Sequence, residues 1–310
     1  MRHLRGQVGP LTWFIRTRHD FWGYVTPYTQ ILVREINCKV REHPLHVPLR
    51  PENRRMIGPL NTAVDYFVGW ITSDSLDSVL ERGATMTNDG AILAKFISPL
   101  LSRLRKSTSL KDPISQWKDK DLLARVFIIM AQMDIAFRTG RVEYVPSTKG
   151  LKELRPLRGK LNNLHTWFKR NVPDTLVDEC LQVAFRLQNL LPIGQNIIYN
   201  PVFGAYGVIN GSDGDLFADG TLYEMKCLAT TKSVFKGDHI RQLLGYCVLN
   251  QLNNIDLPIE RISLVNPRRD FKWIEDVDTV CQIVGATSFK FLMDQMQEEL
   301  HKALSNLGSI

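Results

Sequence analysis

Apolar residues recur at three- and four-residue spacing over Asn61 to Ile71 and again over Ala91 to Leu104, which predicts two amphipathic helices. Asp119 to Phe137 (DKDLLARVFIIMAQMDIAF) is apolar over most of its circumference and predicts a central buried helix, stopped by Thr139-Gly140. From Asp174 to Leu191 the positions Leu176, Val177, Cys180, Leu181, Val183, Ala184, Leu187 and Leu191 trace one more core-facing helix. The pattern then changes. Asn196 to Val208 reads as extended, Asp215 to Ala218 and Thr221 to Cys227 as two strands, Asp238 to Gln251 as a helix and Arg261 to Val265 as a buried strand. The C-terminal order is therefore α, β, β, β, α, β, behind a mostly helical first half, and the class is α+β with a mixed sheet. The polar, basic stretch 140–160, punctuated by Pro146, Gly150, Pro156 and Gly159, is the expected linker. The expected domains are residues 1–170 and 171–310.

Composition narrows the classes. The chain of 310 residues is 44% hydrophobic and 23% charged, which suits ordinary globular folding and argues against wholesale disorder. Its longest apolar stretch, Leu122 to Phe137, is broken by Arg125, Gln132 and Asp134 and is shorter than the roughly 20 residues of a membrane span. No membrane association is expected. The N-terminus lacks an apolar core followed by a small-residue cleavage site, so a cytoplasmic location is expected. Cys38, Cys180, Cys227, Cys247 and Cys281 are scattered without a CxxC pair, which predicts reduced, structural thiols. His3, His19, His43, His46, His165, His239 and His301 show no metal-ligand spacing, although His239 stands at the start of a predicted helix.

Charge is unevenly placed. Residues 1–170 hold 28 Lys and Arg against 15 Asp and Glu, a net +13, whereas residues 171–310 hold 11 against 17, a net −6. Such a basic half suits an anionic partner, nucleic acid being the commonest, although runs such as Arg103, Arg105 and Lys106, or Lys149, Lys152, Arg155, Arg158 and Lys160, also suit solvated surface.

The chemistry concentrates in Gly211 to Cys227, GSDGDLFADGTLYEMKC. Asp219-Gly220 between two short apolar runs is a strong hairpin signal. Counting outward from a two-residue turn, Ala218 faces Thr221, Phe217 faces Leu222, Leu216 faces Tyr223 and Asp215 faces Glu224. Alternation puts Lys226 on the same face as Glu224, with Tyr223, Met225 and Cys227 on the other. Like charges directly opposed at roughly 4.5–5.5 Å between Cβ atoms destabilise a hairpin, so a compensating charge is expected. Carboxylate oxygens are hard ligands for Mg²⁺ or Mn²⁺, and a neighbouring lysine can position water and stabilise charge on a phosphate.

Asp215 followed by Glu224-Met225-Lys226 on the next strand resembles the PD-(D/E)XK nuclease superfamily, whose αβββαβ, restriction-endonuclease-like core has the element order read above. Gly214 stands where that family usually has a proline. In HIRQLLGYCVLNQL, Gln242 and Tyr246 match the QxxxY element of the RecB-like branch, sixteen residues beyond Lys226. The resemblance covers about residues 174–275 and does not reach the first 170. It implies a metal-dependent, phosphodiester-hydrolysing nuclease of the kind used in restriction, anti-phage defence or DNA repair. By that resemblance Mg²⁺ or Mn²⁺ is held by Asp215, Glu224 and the backbone carbonyl of Met225, with Glu179, or failing it Asp178, as an added acid. Lys226 assists hydrolysis, and Gln242 and Tyr246 orient the lysine and contact DNA. No iron–sulfur cluster is expected, since the cysteine grouping of some branch members is absent. The expected partners are DNA, with RNA kept open, and a second protein or a second copy of the chain.

Two other readings compete. Asp213, Asp215 and Glu224 occupy positions 1, 3 and 12 of a calcium loop, but Phe217 and Ala218 stand where an oxygen ligand and a glycine are needed. A non-catalytic nucleic-acid-binding or scaffold subunit on a nuclease-like fold is the alternative function.

Overall fold

A computed structural model describes residues 10–72, 77–110, 112–149, 151, 161–191, 196–209, 211–232 and 234–307. Among them the chain is mixed α+β, with twelve α-helices and one five-stranded mixed sheet. The helical N-terminal region comprises α1 (Pro10–Thr17), α2 (His19–Val25), α3 (Thr29–Glu42), α4 (Ile57–Thr72), α5 (Asp77–Ala84), α6 (Asn88–Ser107), α7 (Lys120–Thr139), α8 (Leu161–Asn171) and α9 (Asp174–Leu190). There follow β1 (Ile197–Tyr199), β2 (Leu216–Ala218), β3 (Thr221–Met225), α10 (Gly237–Leu252), β4 (Arg261–Asn266), β5 (Phe271–Asp276), α11 (Val277–Val284) and α12 (Phe289–Leu307). No described helix is long and apolar enough to cross a membrane.

Tertiary contacts divide the described residues into two compact units: 47–189, and 10–46 together with 190–307. In the first, α7 packs against α4 and α5, and Phe127 on α7 meets Tyr66, Phe67 and Trp70 edge-on at 4.9–6.0 Å between ring centroids. The charged interruptions of α7, Arg125 and Asp134, are buried with partners, as charges in a core must be. Asp134 pairs with Arg138 at 2.7 Å and Arg82 at 3.4 Å, and Arg125 pairs with Asp174. Gly140 ends α7 in the left-handed conformation, φ 70°.

The second unit is built on the sheet, in the order β1-β2-β3-β4-β5. Only β3 and β4 run parallel, and α10 makes the crossover that a parallel pair requires. Ile240, Leu243, Leu244, Cys247 and Val248 of α10 are buried, as their spacing predicts. Helix α1 packs on α10, and α3 on α10 and α11. This is where the structural division departs from a boundary after residue 170. Leu11, Phe14, Ile15, Trp22 and Ile36 share one core with α10 and the sheet, although all of residues 47–189 stand between them in sequence. Residues on both sides of the expected 140–160 linker, up to Asn189, belong to the first unit, and residues 152–160 lie outside the described set.

The expected extended stretch 196–208 is strand only over β1. Asn200, Gly204 and Gly207 take positive φ (48°, 65° and 61°) and turn the chain out of the ladder, leaving isolated bridges at Val202–Asp213 and Tyr206–Ile209.

Candidate functional site

The hairpin forms with the register counted from its turn: Leu216 opposite Tyr223, Phe217 opposite Leu222 and Ala218 opposite Thr221. Asp219 and Gly220 both take positive φ, 44° and 79°, the conformation that two-residue hairpin turns demand. β3 is the middle strand of five, and every one of its residues is buried, on both faces of the sheet.

Asp215 immediately precedes β2 and is half-buried. Its Oδ2 accepts a hydrogen bond from the backbone N–H of Met225 at 2.6 Å, tying the two strands together. Met225 thus meets Asp215 through its amide. Glu224 is fully buried, and its Oε1 pairs with Nζ of Lys226, whose side chain is 30% exposed. Oε2 of Glu224 has no hydrogen-bond partner among the described residues. Burial, and next the charge of Asp215, push the Glu224 carboxyl up to about 7, while Lys226 partly offsets them. The acid pair and the lysine therefore do interact electrostatically at one place.

Helix α10 brings a second group to the same place. Gln242 donates from Nε2 to the Tyr246 hydroxyl at 2.5 Å, across one helical turn. Tyr246 is buried and stacks on Phe203 at 5.0 Å and 22° between planes. Burial raises the Tyr246 phenol well above its ordinary value, and the negative charges of Glu224, Asp215 and Asp213 add to that. Three carboxylates thus act on one hydroxyl. His239, one turn before Gln242, has Nδ1 accepting from the backbone N–H of Lys236 at 3.3 Å. Burial and the cations Lys226, Lys236 and Arg16 lower its imidazole to about 3, which keeps it neutral at physiological pH.

Glu179 belongs to the other unit, on α9, where its Oε2 accepts from Asn53 Nδ2 at 2.8 Å and the Arg50 N–H at 3.3 Å. Asp178 lies 3.9 Å from Arg50. Both acids have structural partners there. Phe203 carries no motif signal, and only the fold sets it against Tyr246.

No group of three or more His, Cys, Asp or Glu side chains poised around an ion occurs among the described residues. The donor set at the hairpin suits a hard divalent cation of the kind held by one or two carboxylates and completed by water and phosphate oxygens. The buried, unbonded Oε2 of Glu224 is the feature that fits such an ion best. No family model matches the chain, and comparison with curated proteins and with solved structures finds no match.

Proposed function

We propose that the chain is a metal-dependent nuclease that hydrolyses phosphodiester bonds of DNA. The observation that carries this reading is the buried Glu224 carboxylate held between the charges of Asp215 and Lys226, with one oxygen unbonded. A fully buried acid in a strand interior is costly unless its charge is put to use or neutralised. Asp215 and Glu224 would hold Mg²⁺ or Mn²⁺, with the Met225 carbonyl as a further donor. Once bound, the ion would polarise the phosphoryl oxygen and acidify a water. Lys226, partly exposed, orients the attacking water and meets the negative charge that grows on the phosphate oxygens. The Gln242–Tyr246 pair lines the same place and fixes the orientation of the groups around Lys226. Restriction, anti-phage defence and DNA repair are the settings in which such an activity serves.

The test is cleavage of linear, circular and single-stranded substrates in Mg²⁺, Mn²⁺ or EDTA, using the wild type, Asp215→Ala and Lys226→Ala. Cutting that needs the metal and falls at least a hundredfold in both variants, with unchanged circular dichroism, is expected. Cutting that survives in both variants overturns the reading.

A second reading has its own observation. The Lys226–Glu224 pair and the Met225–Asp215 hydrogen bond compensate much of the charge internally, as a non-catalytic, nucleic-acid-binding or scaffold subunit would require. On that reading DNA is retarded but never cut, and Asp215→Ala leaves binding unchanged.

A further inference from the structure

The second unit contains a groove of about 450 Å³ between α3 and the turn that enters α10. Its walls include Arg34 and Arg41 of α3 and Lys236 of the turn, all three exposed. Its one acid, Asp238, lies 3.9 Å from Arg16. None of the three cations forms an ion pair with an acid among the described residues, so the groove presents uncompensated positive charge. The walls are fixed to each other: Asn37 donates to the Phe235 carbonyl at 3.0 Å and accepts the Phe235 N–H at 2.9 Å. That reciprocal pair is buried, so the cations sit on a rigid frame.

Lys236 is hydrogen-bonded through its amide to His239, and His239 feels the charges of both Lys236 and Lys226. His239 is thus within electrostatic range of both Lys236 of the groove and Lys226 of the hairpin. Arg34 and Arg41 are seven residues apart on α3, which is two turns and roughly 10 Å along one helix face. That rise matches about three nucleotide steps of a duplex strand.

We infer that this groove is a track for the sugar–phosphate backbone of nucleic acid, in which Arg34, Arg41 and Lys236 each contact a phosphate and deliver the strand toward Lys226. The inference rests on the nuclease reading for what happens at Lys226, but the binding itself stands apart from it. Phosphates fit this surface because two of its three cations are guanidinium groups, whose planar fork of donors matches phosphate oxygens, and poly-glutamate is the competing occupant the experiment includes.

The experiment measures anisotropy of a labelled 12-base-pair duplex in EDTA, between about 50 and 200 mM salt, for the full-length protein. The wild type, R34A/R41A/K236A and the charge-retaining R34K/R41K/K236R are compared. The alanine variant is expected to bind at least tenfold more weakly at about 100 mM salt, with the slope of log K against log salt smaller by between about 2 and 3. The charge-retaining variant restores both. Wild-type affinity and slope in the alanine variant overturn the inference, as does absence of duplex binding by the wild type, or poly-glutamate binding more tightly than DNA. The two readings fail separately. Loss of binding in the groove variant, with cleavage indifferent to Asp215→Ala and Lys226→Ala, keeps the track and removes the nuclease. The reverse pattern keeps the nuclease and removes the track.

Discussion

Glu224 and His239 give the second unit opposite responses to pH. The Glu224 carboxyl, raised from 4.5 to about 7, holds its proton more tightly in the folded chain than in the unfolded one. Its contribution to stability is therefore complete below about pH 4.5 and is lost as pH rises through 7. His239, lowered from 6.5 to about 3, contributes above pH 6.5 and loses that contribution as pH falls toward 3. Between pH 4.5 and 6.5 the two slopes oppose each other, and single variants separate them. In chelator, the wild type is therefore expected to be nearly flat in Tm between about pH 4.5 and 6.5, Glu224→Gln to rise over that range and His239→Asn to fall over it; scanning calorimetry at stepped pH reads all three. An unchanged slope in Glu224→Gln would show that the buried carboxyl titrates normally. The types of these residues, and the pairing of Asp215 with Glu224 and Lys226, were legible in the sequence because a hairpin turn fixes its own register. The burial that sets the Glu224 carboxyl apart was not. It depends on both faces of β3 being covered, and strand composition does not say what covers them.

At the scale of elements, the hairpin and α10 were the most legible parts, since each is specified by local rules. Turn chemistry wrote the first and three-to-four-residue spacing the second. Gly220 sits at φ 79°, where a Cβ is strained whatever the space. Gly220→Ala is therefore expected to cost about 1–2 kcal/mol, read as a lower urea midpoint with an unchanged m-value. Gly245 of α10 lies against α1, and a Cβ there would meet the Leu11 methyls at 2.9 and 3.0 Å. Leu11 is fully buried and has little room to yield. Gly245→Ala is thus expected to destabilise by about 1–3 kcal/mol, and Leu11→Ala in the same chain to recover part of that loss. A neutral Gly245→Ala would mean that α1 does not pack closely on α10. Residues 200–208 show where local reading gives out. Their apolar content suggests a strand, but left-handed positions at Asn200, Gly204 and Gly207 break the ladder. Asparagine and glycine allow such a φ without requiring it.

For the whole molecule, the grouping of α1–α3 with the sheet carries a direct consequence. A fragment of residues 190–310 lacks Leu11, Phe14, Ile15, Trp22 and Ile36, each buried in the shared core and each worth roughly 1.5–3 kcal/mol of burial. That fragment is expected to bind 1-anilinonaphthalene-8-sulfonate and melt without cooperativity, and addition of residues 8–46 as a separate peptide to restore a cooperative transition. Cooperative melting of the fragment alone would remove α1–α3 from that core. By itself the sequence determined the α+β class, the main helices, the hairpin with its register, and the meeting of two acids with a lysine, because each follows from contacts between residues near in sequence. Tertiary structure alone decided that the first three helices belong with the sheet, that β3 is central, that Phe203 stacks on Tyr246, and that Arg34, Arg41 and Lys236 share one groove. Those pairings join segments tens to hundreds of residues apart. An amphipathic face states that it must be covered, and only the packed chain states by what.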